Sequence, residues 1–324
     1  MHDLLVTVQL DDEDRRTLER AVGPATRLHH LSDVEGQLED LLPRVEAILC
    51  AGLRQFTPAM IQRMESLRMV QTLLAGADYL PREFFRSGVA VCTASGAGSH
   101  HIAEHAFALL LAAGKNVVLH TNAIRQARFD RSPVNHPLGG KALGILGFGN
   151  IGRIVGEFGR AFGMRILAIN RSGRTDLDVG FIGALDDLEH LLRASDYITI
   201  TLPLTRKTIG LIGPEELAAM KPEAVLVNVA RAGVVQEEAL YRHLKANPGF
   251  RAAFDVWWTY PEGEEGRPFS LPFHELNNFI MTPHIAGHVP GHRKEMMRLA
   301  IENIGNFFMK KRLVNRVKEE DIPP

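Results

Sequence analysis

Gly147-Phe148-Gly149-Asn150-Ile151-Gly152 has the G-x-G-x-x-G spacing of a pyrophosphate-binding turn. Its flanks fit that chemistry. The apolar run over 142–146 reads as a buried parallel strand, and 151–163 reads as a helix. Gly147 allows a tight turn, Gly149 lets the backbone approach phosphate, and Gly152 lets the helix lie close on the strand. The N–H groups that open the helix, those of Asn150 and Ile151 among them, and its positive dipole end complete an anion site. The second strand of this unit ends in Asn170-Arg171-Ser172, where an NAD-specific site usually carries an acid. An amide, a guanidinium and a hydroxyl accept a 2′-phosphate that a carboxylate would repel. The stretch therefore favours NADP(H) and leaves NAD(H) open, with Arg174 a second candidate for the phosphate. A different chemistry is legible in His101-Ile102-Ala103-Glu104-His105. It fits H-x-x-E-H, in which two histidines one helical turn apart bind zinc and the glutamate serves as base.

The elements that must position these groups alternate strand and helix along the whole chain. Strands are expected over 4–10, 47–51, 70–74 and 89–93. A charged helix is expected over 12–22, and Thr57-Pro58 opens another with an N-cap and a proline in its first turn. This βα repeat lacks a phosphate fingerprint and predicts a separate doubly wound domain. Helices over 100–113 and 116–127 follow, then a Pro- and Gly-rich linker over 131–140. Beyond Lys141 strands are expected over 165–169, 197–202, 224–229, 252–256 and 280–282, with helices over 214–220 and 236–246 among them. A final amphipathic helix over 291–308 is expected to return and close the edge of the first sheet.

The bulk properties exclude several classes. A formal net charge of -1 gives no general attraction to nucleic acid or anionic membrane. Cys50 and Cys92 lie in apolar runs and read as buried thiols, with no disulfide framework. No stretch is long enough to span a bilayer, so the cytoplasm is the default location. A length of 324 residues suggests two domains.

Three stretches beyond the fingerprint carry a more specific likeness. They are Leu202-Pro203-Leu204-Thr205 through Gly210-Leu211-Ile212, Met220-Lys221-Pro222, and Leu226-Val227-Asn228-Val229-Ala230-Arg231-Ala232-Gly233. With Phe254-Asp255-Val256, Thr282-Pro283-His284-Ile285-Ala286-Gly287, Ala103-Glu104-His105 and Ala75-Gly76-Ala77-Asp78, the chain resembles the D-2-hydroxyacid dehydrogenase family over residues 45–305. The resemblance implies an α/β protein with two doubly wound parallel-sheet domains. A Rossmann NAD(P)-binding domain over 107–287 would be inserted into a flavodoxin-like substrate domain over 1–106 and 288–324, with ligand in the cleft between them. It implies hydride transfer between a nicotinamide cofactor and a small 2-oxo or D-2-hydroxy acid such as glyoxylate, hydroxypyruvate or pyruvate, without a metal, in a homodimer whose contact would involve helix 116–127. By the same resemblance Arg231 holds the substrate carboxylate and polarises the carbonyl. His284 gives a proton to the carbonyl oxygen or takes it back. Backbone amides at Ala75 and Gly76 bind the carboxylate, and Pro203, Ala230 and Asp255 border the cofactor, with Asp255 also tuning the catalytic site. Side-chain specificity would fall to loops near Leu53, residues 75–80 and 257–260, and one ring of Trp257-Trp258 would line the cleft.

One catalytic position departs from the family pattern. The family places a glutamate five residues after the aspartate; here that residue is Tyr260. A phenol can orient the imidazole but adds no negative charge near neutrality, so His284 is expected to have a lower working pKa. The formate dehydrogenase branch also lacks the glutamate, but the asparagine it uses for formate is Gly98 here. The remaining rivals are a zinc peptidase and a non-catalytic nucleotide-sensing scaffold of the same fold.

Overall fold

The computed structural model describes residues 1–52, 56–86, 88–263 and 265–323; Leu53 lies outside them. The chain divides into two compact units, Met1–Gly98 with Pro290–Pro324, and Ser99–Val289 between those segments in sequence.

In the first unit, strands β1 (His2–Val6), β2 (Thr26–His30), β3 (Val45–Cys50), β4 (Met69–Thr72) and β5 (Ala90–Cys92) form a parallel sheet in the order β5-β4-β3-β1-β2. This is the 2-1-3-4-5 order of flavodoxin-like sheets. Alternation along the strands divides the core. Leu4, Val6, Leu49 and Met69 face one side with Leu18 and Val22 of the first helix, while Leu5, Ile48 and Val70 face Ile61 and Phe84 on the other. The Thr57 N-cap forms as its sequence suggests, accepting from the Met60 N–H at 3.3 Å. The last helix, His292–Phe308, departs from expectation. Its stripe of Met297, Ala300, Ile301 and Ile304 packs on a face of the sheet. The edge is closed by a two-residue strand after it, β13 (Arg316–Val317), antiparallel to β5. An apolar stripe needs a sheet face, whereas an edge needs backbone partners that only a strand supplies.

The second unit holds β6 (Ala142–Leu146), β7 (Arg165–Ile169), β8 (Phe181–Gly183), β9 (Tyr197–Ile200), β10 (Val225–Asn228), β11 (Arg251–Phe254) and β12 (Phe279–Met281). All are parallel, in the order β12-β11-β10-β9-β6-β7-β8. Strand order reverses between β6 and β9, and such a switch point opens a crevice at the carboxyl ends of the strands. Residue 106 falls inside the helix Ser99–Gly114, so the expected boundary there moves to Gly98. Ala103, Ala106, Phe107 and Leu110 of that helix share one buried cluster with Leu143, Ile145 and Val227. The rear boundary lies at Val289. Strands β2, β8 and β13 escaped the sequence reading because they are short or polar, and only their neighbours make them strands.

Among the described residues, no single helix is long and apolar enough to cross a membrane. Helices Ser99–Gly114 and Val117–Arg125 pass that test only together and are bent by 61°. The first of them owes its apolarity to burial in the core just described.

Candidate active site

The glycines of the first turn separate by geometry. Gly147 has φ +107°, and a Cβ there would stand 2.7 Å from the Leu202 nitrogen. A Cβ on Gly152 would stand 2.3 Å from the Gly147 carbonyl oxygen. Gly149 has nothing within 4 Å of that position. The chain therefore closes tightly around the first and third glycines and leaves open space over the second. The helix Asn150–Ala161 begins there and directs its first N–H groups to the same opening. This cradle fits a dinucleotide pyrophosphate. Phe148 differs from its five neighbours in the motif: its ring is buried, with the Arg153 guanidinium 5.9 Å from the centroid, and its N–H is bonded to Ile169. It is a core residue of the turn.

At the end of β7 the Asn170 amide closes an Asx turn. Its Oδ1 accepts from the Ser172 N–H at 3.0 Å and the Ser172 hydroxyl at 3.1 Å, and its Nδ2 donates to the Arg174 carbonyl at 2.7 Å. Asn170 thus shapes the loop, and the exposed side chains of Arg171 and Ser172 are what the loop presents.

Past β9, the Pro203 carbonyl accepts from the Thr208 hydroxyl at 2.7 Å, which folds the loop back on itself. Past β10, Asn228 is fully buried and brackets the next turn. Its Oδ1 accepts from the Ala230 N–H at 3.0 Å, and its Nδ2 donates to the Arg231 carbonyl at 3.1 Å. Arg231 is fixed further by its own Nη1 donating to the Ala230 carbonyl at 2.8 Å. Asn228 is a positioning residue, visible in sequence only as a buried amide ending a strand. Asn228→Ala is expected to cost about 1–3 kcal/mol of stability and to lower kcat/KM for the acid about tenfold, with cofactor affinity retained. Thermal unfolding, steady-state kinetics and cofactor titration check this.

Asp255 follows β11 and is fully buried. Its Oδ1 accepts from the Thr282 hydroxyl at 2.6 Å and the Ile285 N–H at 3.0 Å, and its Oδ2 from the Ala286 N–H at 2.9 Å. His105 Nε2 lies 3.4 Å from Oδ1 and 3.2 Å from the Thr282 hydroxyl. Burial alone would raise this carboxyl's pKa; the bonds from His105, Thr282, Ile285 and Ala286 outweigh it and lower the pKa to about 2. Asp255 is thus enclosed by the loop it organises. That loop carries His284, a non-glycine residue at φ +60°, an uncommon conformation. His284 is held on both sides. Its N–H bonds the Thr282 carbonyl at 3.0 Å, a carbonyl that also accepts from Trp257 Nε1 at 2.9 Å, and Asp255 grips the next two amides.

Tyr260 reaches this histidine. Its hydroxyl lies 2.7 Å from His284 Nδ1 and also accepts from the Trp257 N–H at 3.2 Å. With one lone pair given to Trp257, the phenol has its own hydrogen to give to Nδ1 of a neutral imidazole protonated on Nε2, and a second lone pair to take Nδ1–H of the other tautomer. When the ring is protonated, Nδ1–H donates to the remaining lone pair. Of the two Trp rings one is buried and the other half-buried. Trp257 is buried beside Phe269 and Phe279, and Trp258 stacks on Phe273 at 5.4 Å and donates to the Val235 carbonyl. The H-x-x-E-H residues do not converge. His105 turns to Asp255 and Thr282, while Glu104 is an exposed partner of His100 at 3.5 Å. Among the described residues no three His, Cys, Asp or Glu side chains form a metal-binding group. Ala75 and Gly76 lie just past β4 in the first unit.

Comparison with known proteins agrees with this geometry. Residues 107–286 match the family model described as D-isomer specific 2-hydroxyacid dehydrogenase, NAD binding domain. The chain is 31% identical over 289 residues to a glyoxylate reductase of Pyrococcus furiosus, covering 86% of this chain and 81% of that one. It is 30% identical over 275 residues to a hydroxypyruvate reductase of Thermotoga maritima, covering 84% and 87%. Among solved structures, D-lactate dehydrogenase of Aquifex aeolicus with NAD and lactic acid superposes with a TM-score of 0.75 at 25% identity, covering 95% of this chain and 96% of that one. The chain thus belongs to the D-isomer specific 2-hydroxyacid dehydrogenase family and is an NAD(P)-dependent oxidoreductase of 2-hydroxy acids.

Proposed function

We propose that the protein reduces a small 2-oxo acid to the D-2-hydroxy acid, with NADPH as the favoured reductant, and that the Tyr260–His284 pair at 2.7 Å is the observation that carries this reading. Gly147, Gly149, Asn150, Ile151 and Gly152 would hold the cofactor pyrophosphate, and Arg171 and Ser172 the adenosine end. Bound there, a reduced nicotinamide supplies the hydride for C2. The residues of the chain do the rest. The Arg231 guanidinium, set by Asn228, offers paired donors to the carboxylate and polarises the adjoining carbonyl. His284 delivers the proton from Nε2 to the carbonyl oxygen. Tyr260 fixes which ring nitrogen faces the substrate. The amides of Ala75 and Gly76 are proposed as further donors to the carboxylate. Glyoxylate, hydroxypyruvate and pyruvate all fit an arginine–histidine pair, and the first two are the acids named for the relatives above.

The cofactor preference rests on the Asx turn that presents Arg171 and Ser172 without an acid. Arg171→Ala is expected to reduce the NADPH-to-NADH ratio of kcat/KM about tenfold, the worth of one charged hydrogen bond. Parallel assays with both cofactors measure that ratio.

The same reading takes the protein as a cytoplasmic homodimer whose contact includes helix Val117–Arg125. Both cysteines are free and buried; burial pushes Cys50 up and Cys92 up to about 11, so neither is a poised thiolate. The deciding experiment is loss of reduced-nicotinamide absorbance across a panel of 2-oxo acids with NADPH and with NADH. Turnover favouring NADPH supports the whole reading, and the best acid names the substrate. Turnover with NADH alone overturns the cofactor assignment. Tight cofactor binding without turnover would favour the nucleotide-sensing scaffold.

A further inference from the structure

Gln71, Thr72 and Asn303 are wholly buried in the first unit, and they are linked. Asn303 Nδ2 donates to the Gln71 Oε1 at 2.7 Å, and Gln71 Nε2 donates to the Thr72 carbonyl at 2.9 Å. Asn303 also fixes the segment before β13. It accepts from the Val314 N–H at 3.0 Å and donates to the Val314 carbonyl at 3.1 Å. Apolar groups of similar volume often hold a core at least as well, so a satisfied polar chain here points to a geometry that it specifies. The chain of bonds ends at the carboxyl end of β4, which is where an open parallel sheet binds its ligands.

Thr72 joins this chain to the loop that follows β4. Its hydroxyl accepts from the Leu74 N–H at 3.0 Å and shares a hydrogen bond with the Tyr79 hydroxyl, so one side chain ties both ends of the loop. The backbone is pinned as well. The Leu73 N–H bonds the Cys50 carbonyl at 2.8 Å, the Ala94 N–H bonds the Leu74 carbonyl at 3.1 Å, and the Leu80 N–H returns to the Ala77 carbonyl at 3.1 Å. Leu73, Ala77 and Leu80 are buried. Between these anchors Ala75 is exposed and Gly76 half-buried, and among the described residues neither of their N–H groups has a hydrogen bond. Two successive unused amides, held by buried neighbours, form an anion seat whose shape is set from behind.

We infer that Thr72 and Tyr79 are positioning residues for the acid: their paired hydroxyls hold the loop so that the Ala75 and Gly76 amides point together at its carboxylate. The inference rests on the carboxylate role proposed above for those amides and names what sets them. The carboxylate is the same group in the bound acid and in the transition state. Amides that drift from it therefore lose binding to both, which raises KM and leaves kcat nearly unchanged.

Steady-state kinetics of the full chain with glyoxylate, hydroxypyruvate and pyruvate test it. Tyr79→Phe keeps the ring and removes only the hydroxyl, and it is expected to raise KM for the acid about fivefold. Thr72→Val keeps the shape but removes both bonds and strands the Leu74 N–H, so KM should rise about 30-fold. Thr72→Ser restores the hydroxyl and should bring KM back to within about twofold of wild type. In every variant kcat should stay within about threefold and KM for the cofactor should not move. The double variant Thr72→Val/Tyr79→Phe should be no worse than Thr72→Val, because Tyr79 acts through Thr72. Hydrogen exchange over residues 73–80 should quicken in the same order, and Tyr79→Phe decides the matter if Thr72→Val does not fold. An unchanged KM in Tyr79→Phe, a loss confined to kcat, or a Thr72→Ser variant as poor as Thr72→Val would overturn this inference alone. A wild type that turns over no 2-oxo acid with either cofactor would overturn the catalytic reading and this inference with it.

Discussion

Asp255→Asn is expected to lower kcat about a hundredfold or more while leaving cofactor affinity nearly unchanged. The carboxylate accepts from Thr282, Ile285 and Ala286 within 3.0 Å, with His105 at 3.4 Å, in a site closed to water. An amide of the same shape replaces one acceptor oxygen by a donor, which must then face another donor. Loss of such a buried, charge-assisted set costs about 3–5 kcal/mol. The cost falls on the loop that holds His284 at φ +60°, a conformation that persists only where its surroundings enforce it. A shift of about 1 Å in the proton donor suffices for a hundredfold loss. Steady-state kinetics, cofactor titration and thermal unfolding together measure the effect; unchanged kcat would show that the loop keeps its shape without the carboxylate. The same carboxyl gives an acid-stability signature. Its folded pKa of about 2 lies below the ordinary 3.8, so the folded state gains from ionisation. That gain, about 2 kcal/mol, is full above about pH 4 and is lost as pH falls through about 2. Acid unfolding of Asp255→Asn should lack this component.

Tyr260→Glu is expected to extend reduction to higher pH, moving the alkaline limb of the kcat/KM profile upward by about 1–3 units. The phenol at 2.7 Å from His284 Nδ1 supplies a hydrogen bond and no charge. A carboxylate at that distance stabilises imidazolium by Coulomb attraction as well. Reduction needs the protonated ring, so a higher pKa keeps it active to higher pH. At a pH above the wild-type limb the variant should be about tenfold or more faster. Oxidation of the hydroxy acid, which needs the neutral ring, should lose activity at the acid end, its acid limb moving upward by the same amount. Tyr260 is half exposed, which places the expected shift toward the lower end of that range. A profile unmoved by the substitution would mean that the wild-type imidazolium already has its charge balanced by another group. Tyr260→Phe separates orientation from charge. It removes the acceptor of the Trp257 N–H and the partner of Nδ1, so it should reduce kcat without an upward shift.

The sequence by itself determined the parts of this protein whose physics is local. The glycine spacing at 147–152 was legible because φ and close approach are decided within a few residues, and Gly147 and Gly152 show that constraint directly. The places of Arg231 and His284 were legible because each sits in a short motif just past a strand. The replacement of glutamate by Tyr260 was visible as one letter, and the hydrogen bond to His284 follows the expected pairing. Other roles were decided only when distant segments met. Asp255 and Asn170 read in sequence as groups for the cofactor; in the fold Asp255 also grips the loop that carries His284, and Asn170 ties its own surface turn. His105 fitted both a zinc motif and the Ala-Glu-His of the family, and the structure places it 3.2 Å from Thr282, 177 residues away. Phe148 read as part of the cradle and became core. Asn228 was one letter of the motif around Arg231 with no role assigned, yet it sets the turn that carries Arg231. A polar side chain is a ligand or a brace according to which donors and acceptors surround it. In a buried site nearly all of those come from other strands, so the tertiary structure makes the assignment.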